Sequence, residues 1–172
     1  MPLADELLLA FYRDERPDAQ GRTLTNMLAW SDATLEAVHD YIQWLFPLPE
    51  VSGANPSAPL LTPRVQAAFR ESDLIRGRMR AAWLRMLRFY GFTQHLDGAV
   101  VRAANFPAQS RNWLTPSNHN HLRLTRMLRS LHLAGLPTES EALFQALSSL
   151  YAEPGQSAIS PLTFRYWQRA RE

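Results

Sequence analysis

Apolar positions recur at three- and four-residue intervals along most of the chain, the spacing of one face of an α-helix. A first helix is predicted from Leu3 to about Arg13. Ser31 and Asp32 then offer N-cap chemistry, and Leu35, Val38, Ile42 and Leu45 come next at helical spacing until Pro47 and Pro49 stop them. The stretch from Pro47 to Pro63 inclusive holds five prolines with Ser, Gly and Asn, which marks a loop pinned to the surface. From Ser72 to Tyr90 the residues Ile75, Met79, Ala82, Trp83, Met86, Leu87 and Tyr90 share one broad face flanked by arginines, and Gly91 ends the run.

The pattern weakens over residues 92–116. Gly98 to Arg102 reads as a short strand or as the approach to a helix, and Pro107 and Pro116 interrupt the rest of the stretch, so an irregular segment with one short helical turn is expected. Ser117 or Asn118 then caps a helix to Ala134. Its buried stripe is Leu124, Met127, Leu128 and Leu131, with Arg123, Arg126, Arg129 and Ser130 outside, and Gly135 and Pro137 close it. Thr138 and Glu141 have the spacing of a capping box before a helix with Leu143, Phe144, Leu147, Leu150 and Tyr151 inward. Ser160 and Pro161 open a last helix carrying Phe164 and Trp167. About six helices without an internal repeat predict an all-α fold, a single domain over residues 1–172.

Composition narrows the chemistry. A chain of 172 residues, 46% of them apolar, can bury roughly 70% of its unfolded surface in one core. All 18 basic residues are arginine, so no lysine is present for a Schiff base or a P-loop, and the absence of cysteine removes thiol nucleophiles, disulfides and Cys-ligated metals. The seven glycines are too scattered for a phosphate-cradling loop. The N-terminus is acidic where a secretory signal is basic, and the apolar run Leu7 to Tyr12 is too short to span a bilayer. A soluble, cytoplasmic protein without a transmembrane segment is expected.

Charge is unevenly spread. Residues 1–63 hold three Arg against nine acids, net −6, and residues 64–129 hold twelve Arg against three acids, net +9. Either the acidic part docks on the basic part within the fold, or the basic part is the footprint of an anionic partner such as nucleic acid. The first alternative has Arg76, Arg80, Arg85 and Arg88 facing the acids of the first 63 residues. The second makes the same four arginines phosphate contacts.

The run Trp30-Ser31-Asp32, with His39-Asp40-Tyr41-Ile42-Gln43-Trp44-Leu45-Phe46-Pro47 after it, resembles the conserved domain of the opioid growth factor receptor family. Further matches occur in order: Pro59-Leu60-Leu61-Thr62, Met86-Leu87-Arg88-Phe89-Tyr90-Gly91, Asn112-Trp113, His119-Asn120 and Leu122 to Leu128. The resemblance covers roughly Phe11 to Leu136. It implies an all-helical domain and, for animal members, nuclear association and binding of the pentapeptide Met-enkephalin. Without the long repeat-bearing tail and basic targeting segments of those members, the chain looks like the stand-alone bacterial form. The resemblance brings no ligand-contacting residues with it.

The residues themselves suggest one corner. His119, Arg123 and Arg126 have the i, i+4, i+7 spacing, so they share a helix face beside the helix N-terminus at Asn118, where a carboxylate or phosphate would be attracted. A peptide C-terminal carboxylate suits such a site. Trp113 is the expected wall, and Trp44, to one side of its helix stripe, is a second aromatic candidate. His119 and His121 are two apart and point to opposite sides, so no metal or other cofactor is expected. His39, Asp40 and Tyr41 have no accompanying nucleophile motif. The expected function is non-enzymatic binding of a peptide or protein, with nucleic-acid binding through residues 64–129 as the alternative and an unrecognised enzyme third.

Overall fold

A computed structural model describes residues 4–172. Its elements, in order, are α1 (Ala4–Tyr12), α2 (Leu24–Leu28), α3 (Asp32–Ala37), α4 (Ile42–Leu45), α5 (Pro63–Glu71), α6 (Asp73–Tyr90), β1 (Phe92–Gln94), β2 (Val100–Arg102), α7 (Phe106–Trp113), α8 (Asn120–Leu133), α9 (Pro137–Tyr151) and α10 (Pro161–Arg169). The fold is all-α, with one two-stranded hairpin among the described residues. No helix among them is long and apolar enough to cross a membrane. By internal contact the chain divides into one unit running to Ala82 and including Leu133–Gly135, and a second unit of Trp83–His132 with Leu136–Glu172.

In the first unit α1 buries Leu8, Leu9, Phe11 and Tyr12 and packs on α5, which contributes Val65 and Phe69. The Tyr12 ring meets Phe69 edge-on at 4.7 Å, its hydroxyl donates to the Leu45 carbonyl, and Phe11 packs against Trp44 at 5.1 Å. The periodicity alone does not predict α2 or α5. Thr23 and Asn26 exchange side-chain and backbone bonds in a capping box that starts α2, and Thr62 caps α5 with Pro63 in its first turn. The helix expected over Ser31 to Pro47 starts as predicted, with the Ser31 hydroxyl accepting from the Thr34 amide at 3.1 Å, but breaks at Val38, which is extended. Past the break the Leu35 carbonyl, which a continuing helix would offer to the amide four residues on, accepts from the Tyr41 hydroxyl at 3.0 Å. Residues Ile42–Leu45 resume as one turn. Leu3, the expected first helical residue, lies outside the described residues.

In the second unit the α6 segment past Ala82 ends at Gly91, whose φ of +89° a side chain rarely adopts. The Asn105 amide donates to the Arg88 carbonyl at 3.1 Å and the Gln109 amide to that of Phe89 at 3.0 Å, which satisfies the helix end. The strand reading of Gly98 to Arg102 holds for Val100–Arg102, which pairs antiparallel with β1, Phe92 opposite Arg102. The expected single turn is the eight-residue α7, because Pro107 lies in its first turn, where no amide is needed, and starts the helix instead of breaking it.

Three local expectations are corrected. Leu136 is the N-cap of α9 without a side-chain cap, so the Thr138 capping box does not form, and Glu141 instead bonds Gln145 and Arg171. Arg123 and Ser130, placed outside the α8 stripe by spacing, are 6% and 0% exposed. The burial comes from packing on more than one side of α8: Leu128 accepts from the Ser140 hydroxyl of α9 at 2.7 Å, and the His121 carbonyl from the Trp167 indole of α10 at 3.1 Å. Tyr151 is half-buried, its ring stacked on Phe164 at 4.0 Å. Ser160 caps α10 as expected, accepting from the Thr163 amide at 3.0 Å.

A Cβ at Gly91 would lie 2.6 Å from the Phe106 Cα as well as at positive φ. Gly91→Ala should therefore cost roughly 2–4 kcal/mol in denaturant unfolding. A cost under about 0.5 kcal/mol would show that neither constraint operates.

Candidate functional site

The candidate site lies in the first unit. It is a cleft of about 370 Å³ between the start of α1, the loop after α1, Trp44 of α4 and the loop before α5. Leu7, Pro17, Ala58, Pro59 and Leu60 make most of its wall, with Asp5, Asp18, Ser57 and Thr62 as the polar members. This is the composition of a ligand cleft, mostly apolar with a few placed polar groups.

Each wall is held by side chains that replace missing backbone ladders. On the α1 side, Asp18 Oδ1 accepts from the amides of Gln20 at 3.0 Å and Arg22 at 2.9 Å, which closes the turn. Asp18 Oδ2 accepts from Arg22 Nε at 2.7 Å, and the same guanidinium reaches Asp40 Oδ1 at 2.7 Å and lies 5.6 Å over the Trp30 ring. Burial alone would lower the Arg22 pKa, but the hydrogen bonds to Asp18 and Asp40 outweigh it and raise the pKa above its ordinary value. On the opposite side, Asn55 donates to the Asp40 carbonyl at 2.8 Å and accepts from Ser57 at 3.0 Å, and the Leu61 amide bonds the Leu48 carbonyl at 3.0 Å. Thr62 joins the two sides, donating to Asp5 Oδ1 at 3.1 Å while it caps α5.

Of the site residues expected from sequence, Trp44 alone lines this cleft, and at 4% exposure most of its ring is core. The other members of the expected ligand corner, Trp113, Asn118, His119, Arg123 and Arg126, belong to the second unit. Asn118 does cap the start of α8, its Oδ1 accepting from the Asn120 amide at 2.9 Å while its Nδ2 donates to the Asn112 carbonyl at 3.0 Å. His119 is exposed and Arg126 half-buried, but Arg123 is buried and engaged, so the three do not present one open face. Trp113 walls no opening: it is 0% exposed, and its indole donates to the Tyr90 carbonyl at 2.9 Å.

The arginines are largely spoken for. Arg76 pairs with Asp73 one turn away on its own helix and donates to the Phe69 carbonyl at 3.3 Å, so it does not reach the acids of the first 63 residues. Arg80 and Arg85 are half-buried and engaged, and Arg88 is exposed. Pairing between the basic and acidic stretches occurs at Arg64, 2.6 Å from Glu6, and at Arg78, which donates to the Tyr12 carbonyl at 2.9 Å and helps hold the Asp14 carboxyl below its usual range, after the hydrogen bond from Thr25. No metal-binding group of His and acidic side chains occurs among the described residues.

Sequence reasoning missed Asp5, Leu7, Asp18 and Leu60. One signal was available, the Pro17-Asp18 and Gly21-Arg22 turn chemistry flanking an apolar helix. The runs Tyr41–Pro47 and Pro59–Thr62 also meet at the cleft, through Trp44, Pro59, Leu60 and Thr62.

The described residues form a helical fold with a small, mostly apolar cleft. The chain belongs to the opioid growth factor receptor family, whose conserved region it matches over residues 4–150. It is 44% identical over 138 residues to the rat opioid growth factor receptor, covering 74% of this chain and 23% of that protein. The human opioid growth factor receptor is 42% identical over 136 residues, 74% of this chain and 20% of its own length. Mouse opioid growth factor receptor-like protein 1 is 41% identical over 99 residues, 56% of this chain and 21% of that protein. The chain thus spans less than a quarter of the length of these relatives. No solved structure matches it.

Two outcomes test the site's construction. Asp18 is fully buried at its side chain, so Arg22→Met, which strands that carboxylate, should cost about 3 kcal/mol in chemical unfolding, and Arg22→Lys should recover only part. A loss below about 0.5 kcal/mol would show that the clamp does not hold this wall. In the second unit, burial pulls the His121 pKa below its ordinary value, more than its bond to the Trp113 carbonyl raises it. The unfolded chain then binds the extra proton, so the stability from a neutral His121 is present above about pH 6.5 and is lost as pH falls below it. Thermal melts from pH 7.5 to 5 should show that slope, flattened in His121→Gln; an unchanged slope would remove His121 as its source.

Proposed function

We propose that this domain is a non-enzymatic, receptor-like module that binds a short peptide or an extended protein segment in the cleft beside Trp44. The observation that carries the reading is the convergence of the family runs at Trp44 and Pro59–Thr62 on a pre-formed apolar cleft. The relatives' name of receptor agrees with it, and at about 370 Å³ the cleft suits one or two side chains of a peptide. The walls are held by internal hydrogen bonds, so little ordering opposes binding. In this reading the ligand is met in the cytoplasm.

The test is a library of short amidated peptides screened by thermal shift and then by indole NMR. A ligand at about 100 times its Kd should stabilise the protein by about 2.7 kcal/mol, shift the Trp44 indole resonance and leave those of Trp113 and Trp167 in place. Perturbation centred on Trp113 would move the site to the second unit, and a chemically altered peptide would end the non-enzymatic reading.

A further inference from the structure

The described residues lining the cleft fall within positions 4–62, inside the stretch whose formal charge is −6, and no arginine is among them. Of the arginines near it, Arg22 is committed to the lining Asp18 and to Asp40, and Arg64 is held by Glu6 at 2.6 Å and comes no nearer than 4.0 Å to the lining Asp5. The two lining carboxylates differ. Asp18 is fully buried and bound by two amides and a guanidinium. Asp5 keeps 21% of its side chain exposed. Its Oδ1 accepts one hydroxyl, from Thr62 at 3.1 Å, and among the described residues its Oδ2 meets no cation closer than Arg64 at 4.0 Å. An incompletely neutralised carboxylate therefore stands at the edge of an apolar wall that includes Leu7 and Leu60.

We propose that the cleft selects a peptide segment in which an arginine side chain adjoins a bulky apolar residue. The apolar side chain fills the space between Leu7, Trp44 and Leu60, and the cation pairs with Asp5. The low-dielectric wall strengthens that pair and penalises an acidic residue at the same position. This rests on the peptide-binding reading and adds the ligand's charge to it.

The probes are three acetylated, amidated tetrapeptides, Gly-Arg-Phe-Gly and its versions with Gln or Glu in place of Arg, titrated into the full chain by calorimetry. The Arg peptide should bind about tenfold more tightly than the Glu peptide, with Gln between them, and the gap should narrow between about 0.05 and about 0.5 M salt. Asp5→Asn keeps the acceptor for Thr62 but not the charge, and should bring all three peptides within about twofold of one another. Ser57→Arg, at an exposed position lining the cleft, should abolish binding of all three while lowering Tm by no more than the loss of its one hydrogen bond, to Asn55, entails. Equal affinities, or a preference for Arg that survives Asp5→Asn, while Ser57→Arg still blocks binding, overturn the charge proposal and leave the peptide site standing. No binding by any peptide, or binding that Ser57→Arg leaves intact, overturns both.

Discussion

The backbone groups at the ends of many short helices must find partners, and here side chains supply them. An α-helix leaves four amides and four carbonyls unsatisfied at its ends, and in a helix of four to six residues such as α2, α3 or α4 the ends are nearly the whole element. In the first unit Tyr41 takes the Leu35 carbonyl, Tyr12 that of Leu45, Asn55 that of Asp40, and Asp18 the amides of Gln20 and Arg22. In the second, three ring donors form a relay. Trp113 takes the Tyr90 carbonyl at the end of α6, His121 takes the Trp113 carbonyl at 2.9 Å, and Trp167 takes the His121 carbonyl at 3.1 Å. Each bond adds about 1 kcal/mol net, but leaving any buried partner unmade costs more, so the large aromatics fix geometry as well as filling volume. The last link, Trp167, lies beyond the stretch matched by the family, so the relay closes on a helix outside the conserved region.

The range of each interaction decides whether it can be read from sequence. Ser31 and Ser160 cap as their local patterns predict because donor and acceptor lie three residues apart, and α6 and α8 are legible from periodicity sustained over many residues. The break at Val38 was not legible, since the Tyr41 hydroxyl can reach the Leu35 carbonyl only after the chain has turned. Arg123 was placed outside by its spacing against a single stripe, which assumes one buried face, whereas α8 is covered on more than one side. Pro107 was read as a breaker because first-turn and interior prolines look alike until the helix start is known.

The charge asymmetry was visible in the sequence, and its consequence for the site was not. Summing over a segment shows where charge lies in the chain, but the potential in a cleft depends on the side chains that line it and on how many are already paired. The basic stretch spends Arg64 and Arg78 on the acidic stretch and Arg76 on its own helix. The described residues that line the cleft all come from the acidic stretch. The anion-accepting corner expected at Asn118, His119, Arg123 and Arg126 rested on helix spacing and a helix N-terminus, whereas the cleft's described lining comes from the segment of opposite charge.

Trp44 shows why the family pattern alone does not separate folding from binding. With 4% exposure and its ring 5.1 Å from Phe11, it serves the first unit's core, and its small exposed part lines the cleft. Removing it would open a cavity costing about 3–5 kcal/mol and remove the wall at once, so loss of binding in such a variant says nothing about contact with a ligand. Asp5 and Ser57 are different. They lie at the rim, make few bonds, and can change charge or volume without touching the core. The residues easiest to recognise from a motif here are those that bear the fold, whereas the rim residues beside them, Asp5 in the first turn of α1 and Ser57 in the loop before α5, belong to no recognisable pattern.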